Sequence, residues 1–222
     1  MRLTAPRSRP CNRPVEPRLI ERNPLPAGIT DRLASQLEFI LEVDRLKTVL
    51  RASALAAADR RENDAEHSWH LALMVLLLAE YADEPVDVGH TIALVLVHDL
   101  VEIYAGDTPL NDTVAARTQQ AREEAAASRL FAQLPADQGE RLNALWEEFE
   151  ARQTPEARFA KAMDRLQPML LNWLNEGGTW REPGVTVDVV RGRAELVTDG
   201  SRRLGAALEK LIEESHRRGW TA

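Results

Sequence analysis

An apolar run at positions 92–97 ends abruptly in His98-Asp99, and two further acids, Glu102 and Asp107, follow within the next nine residues. The run reads Ile-Ala-Leu-Val-Leu-Val, which is typical of a buried helix in a helix-rich chain. Burying ionised side chains costs free energy unless an opposite charge compensates, and a divalent metal ion is a common compensator. The sequence therefore predicts a packed core in which charged side chains converge at the end of an apolar helix.

Composition narrows the classes of protein to which the chain could belong. Its 222 residues suffice for one well-buried domain, and contents of 44% hydrophobic and 28% charged residues are ordinary for a globular protein. The net charge of −7 argues against a general nucleic-acid binder, which must neutralise phosphates, but leaves room for a small anionic substrate in a local basic pocket. Cys11 is the single cysteine, so an intramolecular disulfide and a cysteine zinc cage are both excluded.

The N-terminal segment, residues 1–28, differs from the rest in carrying six prolines and six arginines against two acids. Proline at this density blocks helix and sheet hydrogen bonds, so we expect a disordered tail followed by a single domain at 29–222. A transit peptide is the weaker alternative, because an amphipathic helix would not tolerate these prolines. No apolar run approaches the roughly 20 residues needed to span a bilayer, and we expect a cytoplasmic protein that does not contact membranes.

Apolar spacing predicts an all-α helical bundle with no strand pair. Thr154-Pro155 is a typical helix start, and either Asn63 or Asp64 can cap the helix that carries His67. A bend is expected near Pro168 and a break near Gly200. Helices are predicted over about 30–51, 63–81, 87–104, 112–134, 137–151, 154–175 and 188–218.

Two further candidate metal ligands lie far from the His98-Asp99 pair, namely His67 upstream and Asp164 downstream. Each of these residues alone has an ordinary structural explanation, but together two imidazoles and two carboxylates would balance a divalent ion. Such a donor set suits Mn, Fe, Co, Ni or Zn and, with water in the open positions, Mg. A metal-bound water becomes a nucleophile near neutral pH. Glu102, three residues after Asp99, could orient or deprotonate that water, and Asp107 could act as a second acid or base.

The combination of His67, His98-Asp99 and Asp164 resembles the HD-domain superfamily of metal-dependent phosphohydrolases, and within it the 5'-deoxynucleotidase branch. This resemblance implies an HD-domain helical bundle, one divalent metal ion held by these four residues, and Glu102 and Asp107 as catalytic acids. It also implies hydrolysis of (deoxy)ribonucleoside 5'-monophosphates to nucleoside and phosphate by a homodimer. The likeness covers about residues 31–175 and rests on segments 61–68, 98–102, 106–107, 146–150 and 161–164.

Substrate contacts follow less directly from the resemblance. Arg51 best matches an arginine that contacts phosphate in similar proteins, but Ala52 follows it where those proteins often have tryptophan. Arg61 is the alternative phosphate contact, and Lys161 could add positive charge beside the leaving phosphate. Two other functions stay open: hydrolysis of another small phosphorylated metabolite or a nucleotide diphosphate bond, and a catalytically idle regulatory HD module. The presence of both Glu102 and Asp107 argues against the idle module.

Overall fold

The computed structural model describes residues 25–106 and 113–221, and in the second range the side chains from residue 118 onward. Asp107 and most of the predicted tail lie outside the described residues. The prediction of an all-α bundle is confirmed, with one small exception near the N-terminus. The elements in order are α1 (Asp31–Val43), β1 (Leu50–Ala54), β2 (Arg61–Asn63), α2 (Asp64–Leu78), α3 (Val88–Val97), α4 (Glu102–Ala105), α5 (Thr113–Phe131), α6 (Ala136–Ala151), α7 (Pro155–Leu174), α8 (Val187–Gly200) and α9 (Arg202–Arg217), with 3-10 turns at Asp44–Thr48, Ala79–Tyr81 and Gly178–Arg181.

The exception is an antiparallel hairpin formed by β1 and β2, so the prediction that no strand pair exists was wrong. The predicted first helix, 30–51, ends instead at Val43. In β1 the inward positions belong to the half-buried Arg51 and the buried Ser53, while Leu50 is exposed. The inward-facing residues of this strand are therefore polar rather than apolar. A search for alternating apolar residues does not detect such a strand.

The predicted helix 87–104 is divided in two. α3 ends at Val97, residues 98–101 form a tight turn with i to i−3 hydrogen bonds, and α4 restarts at Glu102. Neighbouring side chains on a continuous α-helix point about 100° apart. The turn interrupts the regular helix at His98 and Asp99, and the side chains of both residues line the same cleft.

Helix α7 is the centre of the domain and packs against α2, α3, α6, α8 and β1. It starts as predicted, with Thr154 accepting a hydrogen bond from the Ala157 amide at 3.1 Å and proline in the first turn. It then runs without a break through Pro168. Its inner face is almost wholly buried, so α7 supplies a rigid base for the polar residues that it carries.

The C-terminal part of the chain forms two helices that meet at Gly200, as predicted. A side chain at Gly200 would collide with the Arg158 carbonyl oxygen at 2.6 Å and with the Ala162 Cβ at 2.7 Å, so glycine allows α8 to approach α7 closely. Ser201 then caps α9 by accepting a hydrogen bond from the Leu204 amide.

Among the residues that the structure describes, one segment is long and apolar enough to cross a membrane, judged by length and composition alone. It covers Val88–Ala105, has a mean hydropathy of 1.4, and is 56% buried inside the protein. Buried core helices of soluble proteins meet the same criteria, and here the segment is interrupted by the turn at 98–101. The prediction that no apolar run approaches the roughly 20 residues needed to span a bilayer was therefore wrong, because this segment of 18 residues does. The cytoplasmic location stays a prediction.

Candidate active site

Three separate helices bring two histidines and an aspartate together. His67 lies in the first turn of α2, His98 directly after α3, and Asp164 in the middle of α7. All three are buried, and one donor atom from each lies within 4.8 Å of the others. Asp164 Oδ1 is 3.2 Å from His67 Nε2 and 3.9 Å from His98 Nε2. Residues about 100 positions apart in sequence thus form one cluster.

Asp99 adjoins this cluster. Its Oδ1 lies 3.0 Å from His98 Nε2, and its Oδ2 lies 4.0 Å from His67 Nε2. The structure therefore brings together all four residues that the sequence suggested as metal ligands. Their role as ligands remains a proposal, taken up below.

Both imidazoles are oriented so that Nε2 faces the centre of the cluster. His98 Nδ1 is 2.8 Å from the Val95 carbonyl oxygen, which can only accept, so Nδ1 donates. His67 Nδ1 is 3.0 Å from the amide oxygen of Gln167, again an acceptor. His98 Nε2 is buried and lies 3.0 Å from Asp99 Oδ1, but without the geometry of a hydrogen bond. Imidazoles held through Nδ1, with Nε2 directed inward, are the usual arrangement of metal-binding histidines.

The start of α2 fixes where His67 stands. Asn63 accepts a hydrogen bond from the Glu66 amide at 3.0 Å, and Glu66 accepts one from the Asn63 amide at 3.3 Å. This reciprocal capping box ties β2 directly to α2. Of the two predicted N-cap residues, Asn63 is therefore the one that caps α2. Asp64 instead contacts Arg51.

Arg51 is the cation at the centre of the site. Its Nη1 lies 2.8 Å from Asp99 Oδ2 and 3.1 Å from Asp64 Oδ1, and its Nη2 lies 3.9 Å from Asp164 Oδ1. Burial opposes the charge of Arg51, but the surrounding carboxylates outweigh burial and raise its pKa. Burial likewise opposes ionisation of Asp99, yet His98 and Arg51 hold the pKa of Asp99 well below its usual range.

Two other buried acids, Asp64 and Glu62, lie beside Arg51. Burial, followed by the charge of Asp99, raises the pKa of Asp64 to about 7. Burial also raises the pKa of Glu62 to about 7, opposed by Arg51. Beside the ionised Asp99, these two acids resist ionisation, chiefly because they are buried. A divalent cation near them would favour their ionised forms, and the donor atoms of His67, His98 and Asp164 lie close enough together to hold one.

The histidines differ in their protonation. Burial, aided by the charge of Arg51, lowers the pKa of His67 to about 4, so His67 is neutral at physiological pH. Burial lowers the pKa of His98 too, but Asp99 and Asp164 outweigh it and raise the pKa overall. A metal ion at Nε2 of His98 would compete with protonation of that atom, so metal binding should weaken at lower pH.

His98, Asp99 and Asp164 line the floor of a cleft of about 730 Å³, whereas the fully buried His67 does not line it. Glu102 lines this cleft and interacts with Asp64. Arg61 also lines it, from β2. Lys161 Nζ lies 3.4 Å from Asp164 Oδ2 and 4.4 Å from the centre of the Phe149 ring, with 13% of the side chain exposed. Lys161 is therefore a cleft residue rather than a solvated surface lysine.

Three site residues went unassigned in the sequence analysis: Asp64, Glu62 and Gln167, all buried. Asp64 stands three residues before His67 and so shares its helix face, a spacing that could have revealed it. Gln167 stands three residues after Asp164 in the same way. Glu62 offered no comparable signal, because its position in a strand was not predicted.

Several solved structures are similar to this chain, among them one with strong similarity and two with weaker similarity. A protein from Magnetospirillum magnetotacticum, described as a predicted metal-dependent phosphohydrolase, is 52% identical, with a TM-score of 0.82 over 86% of this chain and 96% of that one. A conserved hypothetical protein from Pyrococcus furiosus is 26% identical, with a TM-score of 0.57 over 82% of this chain and 99% of that one. The PH0347 protein from Pyrococcus horikoshii, at 24% identity and a TM-score of 0.57, shares the fold.

The chain is also similar to curated proteins named 5'-deoxynucleotidases. The 5'-deoxynucleotidase HDDC2 of Homo sapiens is 31% identical over 61% of this chain, and that of Bos taurus is 33% identical over 60%. The matched regions span 66% and 64% of the lengths of those two proteins. The model of the HD domain family matches residues 43–204, which include all four clustered residues and the whole cleft floor. The chain belongs to the HD domain family.

Proposed function

We propose that the chain is a metal-dependent phosphomonoesterase that hydrolyses (deoxy)ribonucleoside 5'-monophosphates to nucleoside and phosphate. The observation that carries the proposal is the convergence of His67, His98 and Asp164, with Asp99 beside them, at a cleft lined by cations. The names of the curated relatives supply the nucleotide substrate class, and the name of the Magnetospirillum structure supports metal-dependent hydrolysis of a phosphate ester.

We further propose that His67, His98, Asp99 and Asp164 hold a single divalent metal ion. Donor atoms of His67, His98 and Asp164 lie within 4.8 Å of one another, and Asp99 Oδ1 lies 3.0 Å from His98 Nε2. The described residues offer no second group of three such donors. Mn, Fe, Co, Ni, Zn and Mg are all compatible with two imidazoles and two carboxylates. Metal analysis of the purified protein, with the metal-to-protein ratio and its loss in His98→Ala, tests both the site and the number.

A metal ion bound here would polarise a phosphoryl oxygen and lower the pKa of a water molecule. The chain's own residues would do the rest. Arg51 and Lys161 line the cleft on the floor beside Asp99 and Asp164, where their charges would bind phosphoryl oxygens and oppose the negative charge that grows during hydrolysis. Arg61, farther along β2, is a further candidate for the phosphate.

The groups proposed to transfer protons are the carboxyl groups of Glu102 in α4, Asp64 and Asp107. Glu102 lines the cleft, and its carboxylate would accept a proton from the attacking water. Asp64 interacts with Glu102 and has a pKa raised by burial, so it can hold a proton that Glu102 shares. Asp107 stays a predicted second acid, located in the segment after Gly106 that lies outside the described residues.

Release of inorganic phosphate tests the proposal directly. Protein loaded with Mn²⁺ or Co²⁺ is incubated with a panel of ribo- and deoxyribonucleoside 5'-monophosphates, and the same panel is run after chelation. We expect turnover of at least one deoxyribonucleoside 5'-monophosphate that chelation abolishes and metal restores. Metal-loaded protein that releases no phosphate from any member of the panel would contradict the proposal.

A second candidate substrate class is a nucleotide or metabolite with more than one phosphate. The cleft carries three arginines besides those already assigned, at positions 152, 165 and 193. Arg165 and Arg193 lie close enough that, after burial, the charge of Arg165 contributes to lowering the pKa of Arg193. Such neighbouring cations suit a second anionic group. Nucleoside diphosphates added to the panel decide this, since faster hydrolysis of diphosphates than monophosphates would favour the second class.

We also propose that the protein is a homodimer acting on small molecules rather than on nucleic acid, in keeping with its net charge of −7. An apolar stripe on the outer face of α2 supports a second copy as partner: Trp69, Leu73, Leu76 and Leu77 are exposed along it, and Leu96 of α3 is exposed as well. Light scattering should give twice the chain mass for the wild type and for Leu174→Glu, an exposed position elsewhere, but one chain mass for Leu77→Glu.

A further inference from the structure

Gln167 occupies a position behind the candidate metal centre that none of the proposed steps uses. It stands on α7, one turn after Asp164, and is completely buried. A buried primary amide costs free energy unless its oxygen and both N–H groups find partners. In this structure it meets three: His67, Glu62 and His70.

The orientation of the amide is set from its nitrogen side. Gln167 Nε2 donates to Glu62 Oε1 at 2.7 Å and lies 3.2 Å from His70 Nδ1. Reversing the amide would place its oxygen against the Glu62 carboxylate and remove the donor from His70. Glu62 therefore directs the amide oxygen towards His67 Nδ1, 3.0 Å away.

The contact between Gln167 and His67 determines which of the two ring nitrogens carries the single proton of neutral His67. Nε2 of the same ring lies 3.2 Å from Asp164 Oδ1, so both ring nitrogens face an acceptor. If the proton were on Nε2, it would be donated to Asp164, and one hydrogen bond would then occupy two of the proposed ligand atoms. The Gln167 oxygen favours the proton on Nδ1 and leaves the Nε2 lone pair for a metal ion.

We propose that Gln167 is a positioning residue for the metal centre, which selects the metal-binding tautomer of His67 and is itself oriented by Glu62. The inference rests on the proposed metal site but not on the identity of the substrate. It extends the site outward by two residues, from His67 through Gln167 to Glu62. Glu62 Oε2 also lies 3.9 Å from Arg51 Nε, so the same carboxylate lies beneath both the histidine and the central arginine.

Metal affinity without substrate is the direct test. Co²⁺ binding is measured by calorimetry and by its visible spectrum for the wild type, Gln167→Leu, Glu62→Gln and the exchange variant Glu62→Gln/Gln167→Glu. We expect Gln167→Leu to weaken Co²⁺ binding by about 10- to 100-fold and Glu62→Gln to weaken it less. The exchange variant restores an acceptor for His67 Nδ1 and a donor to that acceptor, so its affinity should return towards the wild-type value.

A second measurement separates tautomer selection from a general loss of packing. In protein loaded with diamagnetic Zn²⁺, the His67 Nδ1–H should give a slowly exchanging ¹H–¹⁵N signal that is lost or exchanges faster in Gln167→Leu. The His98 Nδ1–H, which faces Val95, should be unchanged. Phe159→Leu, a buried substitution elsewhere on α7, serves as the destabilised control and should keep wild-type Co²⁺ affinity.

Unchanged Co²⁺ affinity in folded Gln167→Leu would overturn the inference, as would an exchange variant no better than Gln167→Leu. These results are independent of phosphate release. A wild-type protein that hydrolyses nucleotides while Gln167→Leu binds metal normally would leave the proposed function intact and this inference wrong. Loss of metal affinity in Gln167→Leu, together with no nucleotide hydrolysis by the wild type, would support this inference and contradict the proposed function.

Discussion

The guanidinium of Arg51 and the carboxylate of Asp99 form an ion pair of 2.8 Å on the floor of the cleft. The same guanidinium approaches Asp64 and Asp164, and only 14% of the Arg51 side chain is exposed. Arg51 thus provides, within the chain itself, part of the positive charge that the carboxylates need. A bound metal ion would provide this positive charge to the carboxylates in place of Arg51. The N–H groups of Arg51 would then be available to a substrate phosphate.

The first prediction separates the two roles of Arg51. Arg51→Gln removes a cation that competes with metal for the carboxylates, so metal affinity should be equal to or higher than that of the wild type. Loss of a charged hydrogen bond to phosphate should lower kcat/KM by about 10- to 100-fold. Calorimetry with Mn²⁺ and phosphate-release kinetics measure the two effects.

Arg61→Gln is the matched control, because Arg61 lines the same cleft without a described contact to the clustered carboxylates. We expect it to leave metal affinity unchanged and to lower kcat/KM less than Arg51→Gln does. If Arg61→Gln were the more damaging variant, Arg61 would be the main phosphate contact and Arg51 a structural counter-charge.

The second prediction concerns Glu102, the described residue proposed to accept a proton. Glu102→Gln keeps the shape of the side chain and removes its basicity, so kcat should fall by about 10²- to 10⁴-fold while the metal content is retained. Glu140→Gln, at an exposed position on α6, should behave as the wild type. Equal phosphate release by Glu102→Gln and the wild type would contradict a catalytic role and favour the idle regulatory module.

Sequence reasoning succeeded for the clustered histidines and for Asp99 because they have local signals. His98-Asp99 ends an apolar run, and His67 follows a capping sequence that begins at Asn63. Asp164, with Lys161 and Arg165 close by in the sequence, has no comparable signal, and the family resemblance identified it. The resemblance then joined these separate signals, and the geometry brings the residues within a few ångströms of one another.

The parts that sequence reasoning missed are those that depend on pairing between distant residues. β1 exists because it hydrogen-bonds to β2, and its inward positions carry Arg51 and Ser53 instead of apolar side chains. Gln167 contacts Glu62 across 105 positions and His67 across 100. No periodicity within a single segment predicts such contacts, because polar residues that satisfy one another in the interior look locally like surface residues.

The third prediction is that metal binding stabilises the fold. A ligand that binds only the folded state at 100 times its dissociation constant adds about 2.7 kcal/mol to the free energy of unfolding. For a chain of this size that corresponds to a rise in Tm of about 5–10 °C. Thermal unfolding followed by circular dichroism, with excess Mn²⁺ or with chelator, measures the shift.

Substitutions at the cluster provide the controls for this experiment. His98→Ala should abolish the metal-dependent rise in Tm, whereas His216→Asn, at an exposed histidine on α9, should keep it. An equal rise in His98→Ala and the wild type would place the stabilising metal somewhere other than the proposed site.

The last prediction follows from the raised pKa of Asp64, about 7, whose main cause is burial and whose second cause is the charge of Asp99. Arg51 and Glu102 also face Asp64 and act in the opposite direction. An unfolded aspartate has a pKa of about 3.9, so folded Asp64 binds its proton more tightly. Its contribution to stability is complete below about pH 4 and is lost as pH rises to about 7.

Asp64→Asn cannot lose a proton, so in chelated protein its free energy of unfolding relative to the wild type should increase steadily from pH 5 to pH 7 and then level off. Urea unfolding at pH 5, 6, 7 and 8 measures this difference. Added Mn²⁺ should reduce the pH dependence, because a nearby dication favours the ionised carboxylate and lowers the pKa of Asp64. Parallel stability curves for the two chelated proteins would mean that Asp64 is already ionised at pH 5, and that Arg51 compensates the carboxylates without a metal ion.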